Sequence, residues 1–287
     1  MIAIVGLVLL FVFVFGGYVM AGGSMAPIIK AAPIETFIIV GAGIAATLVG
    51  NGMEVVKGLG SGMGKVFKGP AYKKEDYLST IFVVAKIMNT LKTEGAVALE
   101  AHIENPEASA IFGEYPKILH DHALLHLITD TVRLMVVSSS NLSPYAVEEV
   151  MDQSIKTHHH GELKVVESVG TLAGALPALG IVACVLGVVK TMGKIDQPPP
   201  VLGALIGGAL VGTFLGVFFA YGLVEPMSKR MAQIVEEEGE IFKVVKQIII
   251  GTMHGHPMPL IIEAARVSIS HHNQPSFAEV FDGMRGN

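Results

Sequence analysis

Charged residues are scarce in this sequence of 287 residues. Only 16% of positions are Asp, Glu, Lys or Arg, whereas soluble globular domains have about a quarter. This composition argues against an ordinary cytosolic enzyme. The 20 basic and 25 acidic groups give a net charge of −5. Because no basic stripe is present, we expect no nucleic acid among the partners.

Tryptophan is absent, and Cys184 is the single cysteine. One thiol cannot form a disulfide within the chain, and it cannot build a metal site of several thiolates. Neither constraint therefore shapes the fold. We expect no cofactor and no native metal site.

The scarcity of charge is concentrated in four windows that contain no Asp, Glu, Lys or Arg, namely 1–29, 36–53, 168–189 and 197–224. Each is as long as the roughly 18 apolar residues that indicate a bilayer-spanning helix. The windows predict transmembrane helices at 2–21, 35–53, 168–190 and 201–224. The first lacks a basic start and has a long apolar run, so we expect a retained helix rather than a cleaved signal peptide.

The basic residues predict the orientation. One predicted short loop contains Lys30 and the other contains Lys190 and Lys194, while the remaining Lys and Arg residues lie on the opposite side. By the positive-inside rule, both termini and the long middle segment are cytoplasmic. The predicted location is the bacterial inner membrane, crossed several times.

The cytoplasmic segments have helical signals. Ser143-Pro144 is a helix start, and the sequence continues from there into the third membrane helix without a breaker. The segment 226–250 extends the fourth helix, and Ser276 with Glu279 forms a capping box for a short terminal helix. Asn105-Pro106 has the residues of another N-cap.

The predicted fold is an all-α integral membrane protein with four transmembrane helices. A helical cytoplasmic domain lies between helices 2 and 3, and helices 3 and 4 have long cytoplasmic extensions. The predicted domains are an outer helix pair, a cytoplasmic domain, a second membrane pair and C-terminal cytoplasmic helices, at 1–53, 54–167, 168–224 and 225–287.

The fourth membrane helix has small residues at every fourth position, which are Ala204, Gly208, Gly212, Gly216 and Ala220. Residues four apart share a helix face, so this stripe allows another helix to approach closely, either within the chain or from another subunit. In the third helix, Pro177 cannot donate to the carbonyl of Ala173, which predicts a kink and a free acceptor in the membrane.

No Asp, Glu, Lys, Arg or His side chain lies within the four windows, although an ion carrier generally needs an ionisable group of this kind inside the bilayer. If this protein moves protons, another chain must therefore supply the proton-binding group.

Two groups of histidines suggest metal chemistry. His122, His126 and Asp130 lie at four-residue steps on one helix face, and His158, His159 and His160 are consecutive. The sequence has no His-Glu-x-x-His pattern, and such a face is equally typical of a solvated or partner-facing surface. A membrane-embedded metal enzyme remains an alternative.

Several motifs together resemble the MotA/PomA family, the channel-forming subunit of the bacterial flagellar stator. They extend in family order over nearly the whole chain. The matching segments are Ile103-Glu104-Asn105-Pro106, Ile111-Phe112, Tyr115-Pro116, 176–183, 187–189, 203–206, 211–216 and Pro275-Ser276-Phe277.

This resemblance implies an ion-driven motor and channel subunit rather than an enzyme. In the family, five copies surround two copies of a peptidoglycan-anchored MotB-like partner, which supplies the ion-binding aspartate. The third and fourth helices line the central space, and the first two lie outside. Ion flow turns the ring, and its cytoplasmic domain pushes on the rotor protein FliG.

The resemblance also implies roles for particular residues. Lys92 and Glu100 match the charged pair that engages the rotor, although proton-type relatives often have arginine in place of lysine. Pro177 and Pro226 match prolines that couple ion passage to movement, and Thr213 matches a channel-facing threonine.

Ion choice follows from two further positions. Sodium-driven relatives have threonines where this sequence has Cys184 and Gly212. Sodium requires hard oxygen ligands, and a thiol is a poor one. We therefore expect protons rather than sodium as the transported ion.

One alternative is an ExbB/TolQ-type proton-driven energising subunit. Those proteins have one membrane helix before the large cytoplasmic segment, whereas this sequence predicts two.

Overall fold

The computed structural model of the chain describes residues 2–138 and 142–286. Within these two ranges the chain forms helices and turns, and no strand is present. The prediction of an all-α fold is confirmed.

Four helices are long and apolar enough to cross a membrane: Ile2–Met20, Ala26–Gly50, Pro144–Met192 and Pro199–Met253. We call them the first to fourth apolar helices. The first contains a π-helical segment between Ile2–Phe11 and Gly17–Met20, at Val12–Gly16. The fourth contains another between Pro199–Val217 and Glu225–Met253, at Phe218–Val224.

The predicted start of the second apolar helix was wrong. The helix begins at Ala26 rather than near residue 35, because Pro27 occupies its first turn, where proline fits, and Pro33 does not end it. Lys30 is consequently part of this helix, and Glu35 is its tenth residue rather than its first.

The remaining elements are shorter. The α-helices are Met53–Lys68, Lys74–Thr93, Ala96–Glu104, Ala110–Gly113, Pro116–Leu119, His122–Val137, Met258–Val267 and Phe277–Gly286, and a 3₁₀ turn is at Pro106–Ala108.

Two predicted helix starts had different outcomes. The capping box is confirmed, since the amide of Ser276 donates to Glu279 Oε2 at 2.7 Å and the amide of Glu279 donates to Ser276 Oγ at 3.2 Å. The predicted cap at Asn105 was wrong, because its side chain makes no cap bond and only the 3₁₀ turn follows. The next helix is instead capped by Ser109, whose hydroxyl accepts from the Ile111 amide at 3.2 Å.

The chain divides into two compact units. The first consists of Met1–Gly69 and Glu162–Ile234. Its buried apolar cluster lies where the second, third and fourth apolar helices pack, and comprises Ile39, Leu176, Ala183, Val211, Leu215 and Ala220.

The helix Met53–Lys68 in this unit was not predicted. A Cβ on Gly58 would lie 2.7 Å from Val165 Cγ2, and a Cβ on Gly62 would lie 2.6 Å from Met231 Cε. The lack of side chains at these two glycines allows the helix to pack closely. Lys65 on the same helix pairs with Glu162 at 3.3 Å.

The second unit consists of Pro70–Gly161 and Val235–Asn287 and has a larger core. The Tyr77 hydroxyl donates to the carbonyl of Glu237 at 3.1 Å. The Tyr72 hydroxyl donates to Asp121 Oδ2 at 2.5 Å. Burial, and then this bond, raise the pKa of Tyr72.

Candidate functional site

The third and fourth apolar helices touch backbone to backbone. A Cβ on Gly180 would lie 2.8 Å from the carbonyl oxygen of Gly212. A Cβ on Gly216 would lie 2.7 Å from the carbonyl oxygen of Leu176. Glycines at these positions therefore permit a contact that any larger residue would obstruct.

The predicted small-residue stripe is only partly used within the chain. Gly212, Gly216 and Ala220 are buried. A Cβ on Gly208 would make an ordinary contact with Ala31 at 3.8 Å, and Ala204 is exposed. Packing within the chain thus accounts for the later part of the stripe but not for Ala204.

Cys184 and Gly212, both predicted ion-pathway residues, lie next to each other. A Cβ on Gly212 would be 3.1 Å from the backbone nitrogen of Cys184. The Cys184 side chain is half-buried, as are Thr213 and Pro177. Pro226 is exposed. It lies about 20 Å beyond Gly212 along the fourth helix, so it is not part of this contact.

Glu35, which was not among the predicted site residues, lies at the same place. It shares the buried face of the second apolar helix with Ile39 and Gly43. A Cβ on Gly212 would approach Glu35 Oε2 to 2.7 Å. The carboxylate therefore touches the backbone of the fourth helix beside Cys184.

Glu35 is the one charged side chain that is buried among the described residues, at 8% exposure. Its Oε2 atom is also buried and has no hydrogen-bond partner within the described ranges. Lys190, on the third helix, acts on it electrostatically. The inference that the chain brings no acid of its own into the membrane segments is therefore corrected, because the second helix starts earlier than its charge-free window.

A signal for Glu35 was present in the sequence. Glu35 directly precedes the apolar window 36–53, and Pro27 is a good first-turn residue for a helix that includes it. The charge-free run begins at residue 36, so Glu35 is the first residue of the predicted helix 35–53 and lies just outside the run that predicts it.

The predicted rotor-binding residues lie in the second unit. Lys92 is in the last turn of the helix Lys74–Thr93, and Glu100 is in Ala96–Glu104. Gly95 joins these helices, and its φ of 84° is a backbone conformation that favours glycine. Both charged side chains are exposed, so the surface can receive a partner.

The histidine face forms as predicted on the helix His122–Val137. The rings of His122 and His126 stack with centroids 6.4 Å apart, and His126 Nδ1 is 3.8 Å from Asp130 Oδ2. Asp130 accepts a 2.6 Å hydrogen bond from Arg133 Nη1. In residues 2–138 and 142–286, no group of three or more His, Cys, Asp and Glu residues is arranged to hold a metal ion.

The consecutive histidines make separate contacts in the second unit. His158 packs against Phe242, with ring centroids 4.9 Å apart. His159 Nε2 lies 3.1 Å from Glu236 Oε1. They do not converge on one site.

Known proteins are similar over nearly the whole chain. Motility protein A from Escherichia coli (strain K12) is 35% identical over 99% of this chain and 95% of the relative. Motility protein A from Salmonella typhimurium gives the same values. Chemotaxis protein LafT from Vibrio parahaemolyticus is 34% identical over 96% of this chain and 95% of the relative.

Solved structures have the same fold. The structure of C. jejuni MotAB matches with a TM-score of 0.71 and 18% identity, covering 94% of this chain and 95% of that chain. The flagellar MotAB stator complex from Bacillus subtilis matches with a TM-score of 0.68 and 21% identity, covering 91% and 92%.

Two family descriptions match separate parts of the sequence. "Motility protein A N-terminal" matches residues 4–95, and "MotA/TolQ/ExbB proton channel family" matches residues 120–243. Together with the identity to the enterobacterial relatives, these matches confirm the family predicted from the motifs: the chain belongs to the motility protein A branch of the MotA/TolQ/ExbB proton channel family.

Proposed function

We propose that this chain is the channel-forming subunit of a flagellar stator, which conducts protons across the inner membrane and converts their flow into torque on the rotor. The observation that carries the proposal is the 35% identity to Motility protein A over 99% of the chain. It is a motor and channel function rather than an enzymatic one.

The proposed topology places both termini, the domain 54–167 and the segment 225–287 in the cytoplasm. The four apolar helices support several membrane crossings, and the positions of Lys30, Lys190 and Lys194 support the orientation. The pairs 1–53 and 168–224 are then the outer and pore-lining membrane helices.

The proposed partner is a MotB-like subunit that is anchored to peptidoglycan and supplies an ion-binding aspartate. The matching solved structures are described as MotAB and as a MotAB stator complex, which supports a partner and assembly in several copies. The family resemblance supplies two further parts of the proposal. Five copies of this chain surround two copies of the partner, and Lys92 and Glu100 contact FliG.

The proposed ion pathway includes Pro177, Cys184, Gly212 and Thr213, with Pro226 coupling ion passage to movement. Ala204, Gly208 and Gly216 have the packing role. The proposed ion is the proton, because the thiol of Cys184 and the bare backbone of Gly212 offer sodium no hydroxyl ligand. No cofactor is part of the mechanism.

The chain can be tested in cells that lack their own stator subunits, by co-expressing it with a MotB-like partner. We expect restored rotation whose speed follows an imposed pH gradient and is independent of external sodium. Rotation that followed sodium and ignored the pH gradient would contradict the choice of ion. Correctly assembled protein without rotation would contradict the stator function.

The ExbB/TolQ alternative has less support. The matching family description includes those proteins, but the N-terminal match at residues 4–95 is to Motility protein A. This match covers the two apolar helices that precede the large segment.

A further inference from the structure

We infer that the Glu35 carboxyl is a proton-binding site within the membrane-spanning part of this chain, which takes up and releases a proton during ion transfer. The inference deepens the proposed function and rests on it. It adds to the partner's acid a second acid that this chain itself supplies.

The first argument is the position of Glu35 along its helix. It is the tenth residue of the helix Ala26–Gly50, so it lies about 14 Å along the axis from the first residue of the helix. Residues 31–34 before it are apolar, and 36–53 after it contains no charge. An acid inside a membrane-spanning helix is costly and is generally functional.

The second argument is the direction of the side chain. Glu35 is on the packed face of its helix, with Ile39 and Gly43, and not on a face open to lipid. Its Oε2 atom is directed at Gly212, where a Cβ would come within 2.7 Å. Glycine at position 212 provides the space that the carboxyl occupies.

The third argument is that Oε2 is buried and that the part of the chain which the structure describes supplies it with no hydrogen-bond donor. A buried carboxylate without a donor is unfavourable, and binding a proton removes the charge. The site therefore has the property that proton transfer requires, which is a group whose charge changes when one proton arrives or leaves.

The titratable groups around Glu35 come from two of the packed helices. On the third apolar helix they are Lys190, which acts on Glu35 electrostatically, and the Cys184 thiol beside Gly212. The fourth helix contributes no charged residue between 197 and 224, and its Tyr221 is exposed. Lys30 is on the same helix as Glu35, five residues earlier.

Glu35→Gln tests the inference, because it keeps the size of the side chain and removes the proton-binding group. The variant is produced with the MotB-like partner in cells without their own stator, and rotation speed is recorded against external pH. We expect speed to fall several-fold, about threefold or more, with unchanged membrane insertion and partner co-purification. The matched control is Glu54→Gln, an exposed acid in the next helix, which should rotate as the unaltered chain does.

Glu35→Asp separates proton binding from packing. It keeps the carboxyl on a shorter side chain, so we expect more speed than with Glu35→Gln and a displaced dependence on external pH. The inference would be overturned if both variants lost the same fraction of rotation speed. It would also be overturned if Glu35→Gln kept the speed and the pH profile of the unaltered chain. If Glu35→Gln does not assemble, an unchanged pH profile in Glu35→Asp overturns it. These outcomes differ from failure of the stator function, in which the unaltered chain itself restores no rotation.

Discussion

Gly216 packs directly against the backbone of Leu176, so that a Cβ at Gly216 would lie 2.7 Å from the Leu176 carbonyl oxygen. The atom that obstructs a larger residue belongs to the backbone of a helix and cannot move aside by changing rotamer. The contact therefore depends on glycine.

Gly216→Ala should destabilise the chain by about 1–3 kcal/mol, because the third and fourth apolar helices must separate to accept the methyl group. Thermal unfolding of the detergent-solubilised complex measures the effect. Gly207→Ala on the same helix is the control, since a Cβ there would have no neighbour within 4 Å. Equal shifts in both variants would show that the helices do not pack as described.

Two buried serines should respond in opposite ways to alanine. Ser228 donates a hydrogen bond of 3.0 Å to the carbonyl of Val166, whereas the hydroxyl of Ser168 is buried with no partner among the described residues. Ser228→Ala should cost about 1 kcal/mol, and Ser168→Ala should be neutral or stabilising. Unfolding midpoints of the two variants test this, and a larger loss for Ser168→Ala would contradict it.

The C-terminal helix should be sensitive to acid. The Lys74 hydrogen bond, with those from Ser276, lowers the pKa of Glu279 to about 2. A carboxyl with a lowered pKa contributes stability above its ordinary value of 4.5, and this contribution is lost as pH falls toward about 2. Hydrogen exchange in residues 277–286 should accelerate over that range.

Glu279→Gln should remove this acid sensitivity, because the amide has no charge to lose. Asp282→Asn, an exposed change on the same helix, should leave it intact. Identical exchange profiles in the two variants would assign the acid response to another group.

Charge reversal at Lys92 or Glu100 should reduce rotation strongly while leaving the fold intact. Both side chains are exposed, so stability should change by no more than about 0.5 kcal/mol. Swimming speed and partner co-purification give the two readings. The control is Lys156→Glu, which reverses another exposed charge in the second unit and should leave rotation unchanged. Normal torque in the double variant Lys92→Glu, Glu100→Lys would refute the rotor assignment.

Alanine at both His122 and His126 should leave rotation unchanged. Their side chains are on an exposed helix face, where His126 Nδ1 lies 3.8 Å from Asp130 Oδ2. If a single-histidine variant instead lost rotation, and added zinc or nickel restored it, the result would favour the metal alternative.

The sequence was sufficient to predict the helices whose signals are local. Ser276 and Glu279 are three residues apart, so their mutual capping requires no knowledge of the rest of the chain. The four apolar runs are equally local, because they depend on length and lack of charge.

Glu35 and the helix Met53–Lys68 could not be predicted in this way. Whether an acid at the edge of an apolar run is inside the bundle depends on what faces it, and here that is Gly212, 177 positions later in the chain. Likewise, Gly58 and Gly62 reduce helix propensity but permit contact with Val165 and Met231. In both cases tertiary packing decides the structure.

The π-helical segment Phe218–Val224 has a consequence for helix phase. A π segment includes one residue more than an α-helical turn would, so it rotates everything after it by about 100° relative to an unbroken α-helix. The four-residue count from Ala204 to Ala220 therefore cannot be continued to Ser228. The direction in which the helix faces before residue 218 therefore does not fix the direction in which it faces after Glu225. Deleting one residue between 218 and 224 would rotate the later part of the helix and leave the earlier part as it is.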